Sequence, residues 1–142
     1  MKKFEEFVKK GIVKKQSPNK NRAISLIKEA EDKKAFLDLT MSKIPKDKMN
    51  ANFVVNYCYD ILIELVRAKM FFEGYNPGNS HEAEVAYLEV LGFSLVEVEF
   101  MDELRYYRNG TKYYGTILDN SYAEKVLIFL NKNYFRIKSL VK

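Results

Sequence analysis

Between Lys43-Ile-Pro-Lys-Asp47 and Gly74-Tyr-Asn-Pro-Gly78, both breakers of regular structure, the apolar residues Val54, Cys58, Ile61, Leu65, Ala68 and Phe72 recur every three or four positions. A period near 3.6 puts them on one helical face, and such a face is stable only when packed against other elements. Ile61 to Phe72 is the most apolar stretch of the chain, yet Glu64, Arg67 and Lys69 interrupt it. It is also too short for a hydrocarbon layer of about 30 Å. The expectation is a buried helix and no membrane partner. Cys58, inside the stripe, reads as core, and Asp60, Glu64 and Arg67, three or four apart, read as an exposed ion-pair ladder.

Other helices follow from the same pattern. Gln16-Ser-Pro-Asn-Lys-Asn21 separates a short amphipathic N-terminal helix from a second one, where Ala23, Ile27, Ala30, Leu37 and Met41 form a stripe interrupted by Lys34. After Gly78, Asn79 or Ser80 can cap a short helix with Glu82 and Glu84 in its first turn, and Gly92 ends it. Phe100, Leu104 and Tyr107 suggest a helix running toward Arg108 and Asn109. Two signals oppose it: Leu95-Val-Glu-Val-Glu-Phe100 alternates as a strand does, and Asn109-Gly110 favours a turn. Leu127, Leu130, Tyr134, Ile137 and Val141 mark a C-terminal helix. These elements predict an all-α fold, an up-and-down four-helix bundle with a short additional N-terminal helix and short accessory helices. Residues 1–142 read as one domain, with 1–16 a basic N-terminal extension and 20–142 the bundle.

Composition narrows the chemistry. With one cysteine and one histidine among 142 residues, no internal disulfide, thiolate zinc or iron–sulfur site, or two-histidine metal site can be built. No metal or cofactor is expected. The N-terminus breaks its apolar residues with charges and carries no signal-peptide core, so a cytoplasmic location is expected. A glycine-rich phosphate loop, a His-Glu-x-x-His motif and a nucleophile elbow are all missing. The net charge of +5 is uneven: Met1 to Arg22 holds seven lysines and one arginine against Glu5 and Glu6, while His81 to Glu103 holds seven carboxylates and no Lys or Arg. Such asymmetry permits a polyanionic partner, and equally suits solvated helix faces.

The run Asp102-Glu-Leu-Arg-Tyr-Tyr-Arg-Asn-Gly-Thr-Lys-Tyr-Tyr-Gly115 is the unusual segment. On a continuous helix Arg105, Arg108 and Lys112 share a face, and cations with phenols there can hold a phosphate and stack a base. The plainer alternative is that Asp102 and Glu103 pair with the arginines while the tyrosines pack the bundle.

From Phe-Phe-Glu-Gly-Tyr-Asn-Pro-Gly-Asn-Ser-His-Glu-Ala, beginning at Phe71, through Leu-Gly-Phe to the Arg-Tyr-Tyr-Arg-Asn run, the chain resembles the HEPN superfamily. The helix pattern extends that resemblance over most of the chain after Asn21. It implies a dimeric helical bundle, often a metal-independent ribonuclease or a toxin paired with a minimal nucleotidyltransferase antitoxin. The family signature is an arginine, a polar residue, and a histidine after four to six intervening positions. Arg108 and Asn109 match its start, and His81 resembles a histidine common at the start of the preceding helix.

This chain departs from the signature at its end, where Tyr113, followed by Tyr114, replaces the histidine. Cleaving RNA without a metal requires a base for the ribose 2′-hydroxyl, an acid for the leaving oxygen and a cation for the phosphorane. Arg108 suits the last role, whereas a tyrosine titrating near about 10 can donate a proton but is a poor base. The resemblance therefore implies Arg108, Asn109 and Tyr113 as catalytic residues. Arg105, Lys112, Tyr114 and His81 would bind RNA phosphate. His81 could also stand in as the base, or simply hydrogen-bond across to a neighbouring helix or loop. The expected partners are a second copy of the chain and RNA or a nucleotide; a catalytically silent alternative pairs with a minimal nucleotidyltransferase antitoxin, with Tyr113 and Tyr114 as candidate acceptors.

Overall fold

The apolar stripe is the buried axis of the molecule. In the computed structural model, which describes residues 1–113 and 115–141 and only the backbone at 111–113, helix α3 spans Ala51–Phe72. Around it lie α1 (Phe4–Lys9), α2 (Lys20–Lys43), α4 (His81–Val90), α5 (Leu95–Tyr113) and α6 (Asn120–Lys138). Val54, Cys58, Ile61, Leu65 and Ala68 are buried as expected, and Val55, Leu62, Val66 and Met70 bury other faces of α3 as well. Burial on several faces makes α3 a central helix and explains why its window is the most apolar of the chain.

Contacts give the helix directions. Along α2 and α3, Arg22 lies over the Phe71 ring at 4.4 Å while Phe36 lies 6.1 Å from Tyr57, so the two run antiparallel. Arg108 meets Asp60, and Asn52 Nδ2 donates to the Thr116 carbonyl just beyond α5, so α5 is antiparallel to α3 too. Helix α6 runs parallel to α3, with Leu118 N–H on Asn52 at one end and Lys69 on the Leu140 carbonyl at the other. The four long helices thus alternate up and down, with α1 and α4 as accessories. No described helix is long and apolar enough to cross a membrane.

Local chemistry sets the helix starts. Side chains of Asn19, Asn50, Ser80 and Asp119 accept from the N–H groups of Arg22, Phe53, Ala83 and Tyr122. Each such cap is worth about 1 kcal/mol. Ser94 and Glu97 form a reciprocal capping box: Ser94 N–H donates to Glu97 at 2.9 Å and Glu97 N–H to Ser94 Oγ at 3.2 Å. That box starts α5 at Leu95 and overrides the strand-like alternation of Leu95 to Phe100. Asn109-Gly110 does not end α5, which continues to Tyr113.

Residues 1–16, expected to be a basic extension, are part of the packed body. Phe4, Phe7 and Val13 are buried in the common core, with the Phe4 ring 4.7 Å from Tyr87 and 5.2 Å from Tyr75. The short strands β1 (Lys14–Lys15) and β2 (Tyr75–Asn76) pair antiparallel, Lys14 opposite Asn76. Gln16 N–H then donates to the Gly74 carbonyl at 2.8 Å. Gly74 has φ +87°, and a Cβ there would fall 2.5 Å from the Gln16 carbonyl oxygen, so this junction admits only glycine.

Candidate functional site

Helix α5 turns Arg105, Arg108 and Asn109 toward α3, where they share one cavity of about 250 Å³ with Tyr59, Asp60, Ile63, Glu64 and Arg67 of α3 and His81 from the start of α4. Four of the seven residues singled out in the sequence therefore converge: Arg105, Arg108, Asn109 and His81. The side chains of the other three, Lys112, Tyr113 and Tyr114, lie outside the described residues. The backbone of α5 is helical through Tyr113, so Arg105, Arg108 and position 112 keep the three-and-four spacing of one face.

Every cation of the cavity faces a carboxylate. Arg108 Nε and Nη2 donate to Asp60 Oδ1 and Oδ2 at 3.1 and 3.3 Å. Arg105 Nε donates to Asp102 at 2.8 Å. Arg67 grips both oxygens of Glu84, with Nη2 3.1 Å from Oε1, and Lys33 of α2 pairs with Glu64. Burial pulls the Lys33 ammonium down, but its hydrogen bond to Glu64 and the surrounding carboxylates leave it above the ordinary lysine range. Asp60, Glu64 and Arg67 are therefore not an exposed ladder along α3. Each bonds to a different neighbouring helix, and together they form a polar seam in the bundle.

Glu84 is only 2% exposed and carries a second contact, His81 Nδ1 at 2.9 Å from its Oε1. The histidine bonds one turn along its own helix, not across to another element, and its ring stays largely open to the cavity mouth. The plain alternative for the Arg/Tyr run holds in part. Asp102 takes Arg105, but Glu103 accepts from the Tyr122 hydroxyl at 2.6 Å and, among the described residues, pairs with no arginine. Tyr107 packs edge-on against Tyr122 at 5.3 Å, while Tyr106 is exposed. Cys58 is core, its thiol pushed up to about 12 by burial.

Sequence reasoning missed Tyr59 altogether and placed Asp60, Glu64 and Arg67 on the surface. The available signal was the position of three ionisable residues within the most apolar helix, since a central helix can keep charges only where neighbours pair them. Among the described residues, no three His, Cys, Asp or Glu side chains stand close enough to hold a metal ion. What the arrangement offers is guanidinium and imidazole groups, each set against a carboxylate, around a pocket the size of one small polar ligand.

The chain matches no protein-family model, no curated protein and no solved structure.

Proposed function

We propose that this chain is a HEPN-type RNA-binding protein whose cleft, built from Arg105, Arg108, Asn109 and His81, receives RNA phosphate, with two copies meeting around it. The observation that carries this reading is the convergence of those four residues, from two helices, in one cavity. Two half-sites would double the local cation density and make binding salt-sensitive. Cleavage would proceed without a metal: Arg108 steadies the phosphorane, Tyr113 protonates the leaving oxygen, and His81 takes the 2′-hydroxyl proton, leaving a cyclic phosphate end.

The deciding experiment incubates the protein with mixed RNA in EDTA, beside Arg108→Ala and Tyr113→His. Cleavage by the unmodified chain that disappears in Arg108→Ala is the expected result, and cleavage unchanged in that variant removes the site. A second reading is favoured by the fork between Arg108 and Asp60, which occupies the cation the phosphorane needs. On that reading the protein is a catalytically silent module that binds RNA or nucleotides, or pairs with a minimal nucleotidyltransferase antitoxin through the acidic stretch Glu82 to Glu103. Activity appearing only in Tyr113→His favours it.

A further inference from the structure

Phe53, Tyr57, Asp60, Glu64 and Arg67 follow one another three or four residues apart along α3, so they share a face of that helix. The last three line the cavity, and the face therefore runs from two aromatic rings into the ionic pocket. The Phe53 and Tyr57 rings lie 5.2 Å apart and within 22° of parallel, and Phe36 of α2 stands 6.1 Å from Tyr57. Phe36 and Phe53 are 53% and 41% exposed. Single apolar side chains on a surface are ordinary, but rings gathered side by side form a patch of the kind that receives a partner. The charged groups that act on Tyr57 are Lys33, Glu64, Asp60 and Glu29, one cation against three carboxylates, so nothing there draws an anion onto the rings. What a stack of open rings accepts is another flat, uncharged ring. Cations stand just beyond it, on the turn joining α2 to α3, where Lys43, Lys46 and Lys48 are exposed. Lys46 approaches Glu124 only to 3.7 Å, and among the described residues neither Lys43 nor Lys48 forms an ion pair. The antiparallel packing that sets Phe36 beside Tyr57 brings this turn to the Phe53 end of the face.

We infer that Phe53 and Tyr57, with Phe36 beside them, form a stacking platform for an unpaired nucleobase, while the lysines of the α2–α3 turn hold the backbone of the same strand. This deepens the RNA reading above and rests on it, and the substrate it names is single-stranded RNA. Every base has a π-face, so such a platform discriminates by strandedness and not by sequence. In a duplex those faces are covered by the neighbouring pairs, and the rings on α3 have nothing to stack on.

The chain contains no tryptophan, so Phe53→Trp places a lone fluorescent reporter in the platform. The test titrates that variant, the unmodified chain, Phe53→Ala and the double variant Lys43→Gln with Lys48→Gln. The probes are a short oligoadenylate, an RNA duplex of the same length and inorganic polyphosphate. The single strand should quench the tryptophan and polyphosphate should not, because only a base can cover the indole. Phe53→Ala should bind the single strand about tenfold more weakly, the loss of one stacked base, and polyphosphate as before. The double lysine variant should weaken both polyanions alike and flatten their salt dependence. Where Phe53→Ala lowers the melting temperature, the tryptophan signal decides alone. A single strand that binds without quenching, or no more tightly than the duplex, or equally well to a folded Phe53→Ala, overturns the platform and leaves the RNA reading standing. No binding of either RNA overturns both.

Discussion

Arg108, near the end of α5, is held by both oxygens of Asp60 in the middle of α3. Each partner is about a quarter to a third exposed, 24% and 30% for the side chains, so the pair is screened and contributes modestly to stability. Its greater effect is on the guanidinium's availability to an anion. Asp60→Asn is expected to cost no more than about 1 kcal/mol of stability while tightening RNA binding about three- to tenfold at low ionic strength. The gain should fade as salt rises toward 1 M, where the screening length is about 3 Å. A titration at two salt concentrations checks this, and weaker binding by the variant would contradict the role given to the pair.

Glu84 presents the opposite case, a carboxylate buried almost completely and held by Arg67. Arg67→Ala strands that charge and should destabilise the protein by about 3 kcal/mol or more, seen as a lower urea midpoint. Replacing the pair together, as Arg67→Met with Glu84→Leu, should recover most of the loss because no buried charge is left alone. A double variant as unstable as the single would show that packing, not charge, dominates there.

Gly110 lies inside α5, where alanine would ordinarily gain about 1 kcal/mol. Here a Cβ would sit 2.9 Å from Thr116 Oγ1, and Thr116 N–H donates back to the Gly110 carbonyl at 3.3 Å. Gly110→Ala should therefore bring no rise in melting temperature, or a fall, and combining it with Thr116→Ala should bring the rise out. An unassisted gain in Gly110→Ala would mean that Thr116 moves aside freely.

Glu97 is held below the ordinary carboxylate range, first by the Ser94 N–H, then by the Ser94 hydroxyl and Arg136. A depressed folded value means that the unfolded chain takes up the proton first. The stabilisation is present above the usual glutamate value near 4.3 and drains away as pH falls through the lower folded value. Thermal unfolding at pH 7 and pH 3 should show a smaller acid-induced drop in Glu97→Gln than in the parent. Equal drops would place the acid sensitivity elsewhere.

Helices α2, α3, α4 and α6 were legible because each combines a 3.6-residue stripe with a polar cap or a Pro/Gly break, signals that act within a few residues. The same locality explains the errors. Leu95 to Phe100 alternates because α5 places residues 98 and 101 inward while Leu95 and Val96 stay exposed; the deciding signal was the Ser94-x-x-Glu97 box. The pairing of Lys14 with Asn76 joins segments about sixty residues apart, and no local pattern encodes it. Within the site, the cations on α5 were visible as a run. Their carboxylate partners on α3 depend on how helices are juxtaposed, which spacing along one helix does not specify.

The clasp between β1 and β2 also imposes an order of events. The Phe4 ring packs against Tyr75 and Tyr87, so this segment must wait, solvated, until some seventy further residues exist. At ribosomal speeds of about 5–20 residues per second, that is a delay of several seconds. The lysines that crowd this segment keep it dissolved in the interval, and the same residues that look like a nucleic-acid signal in the sequence act as a solubilising escort for three buried side chains during synthesis.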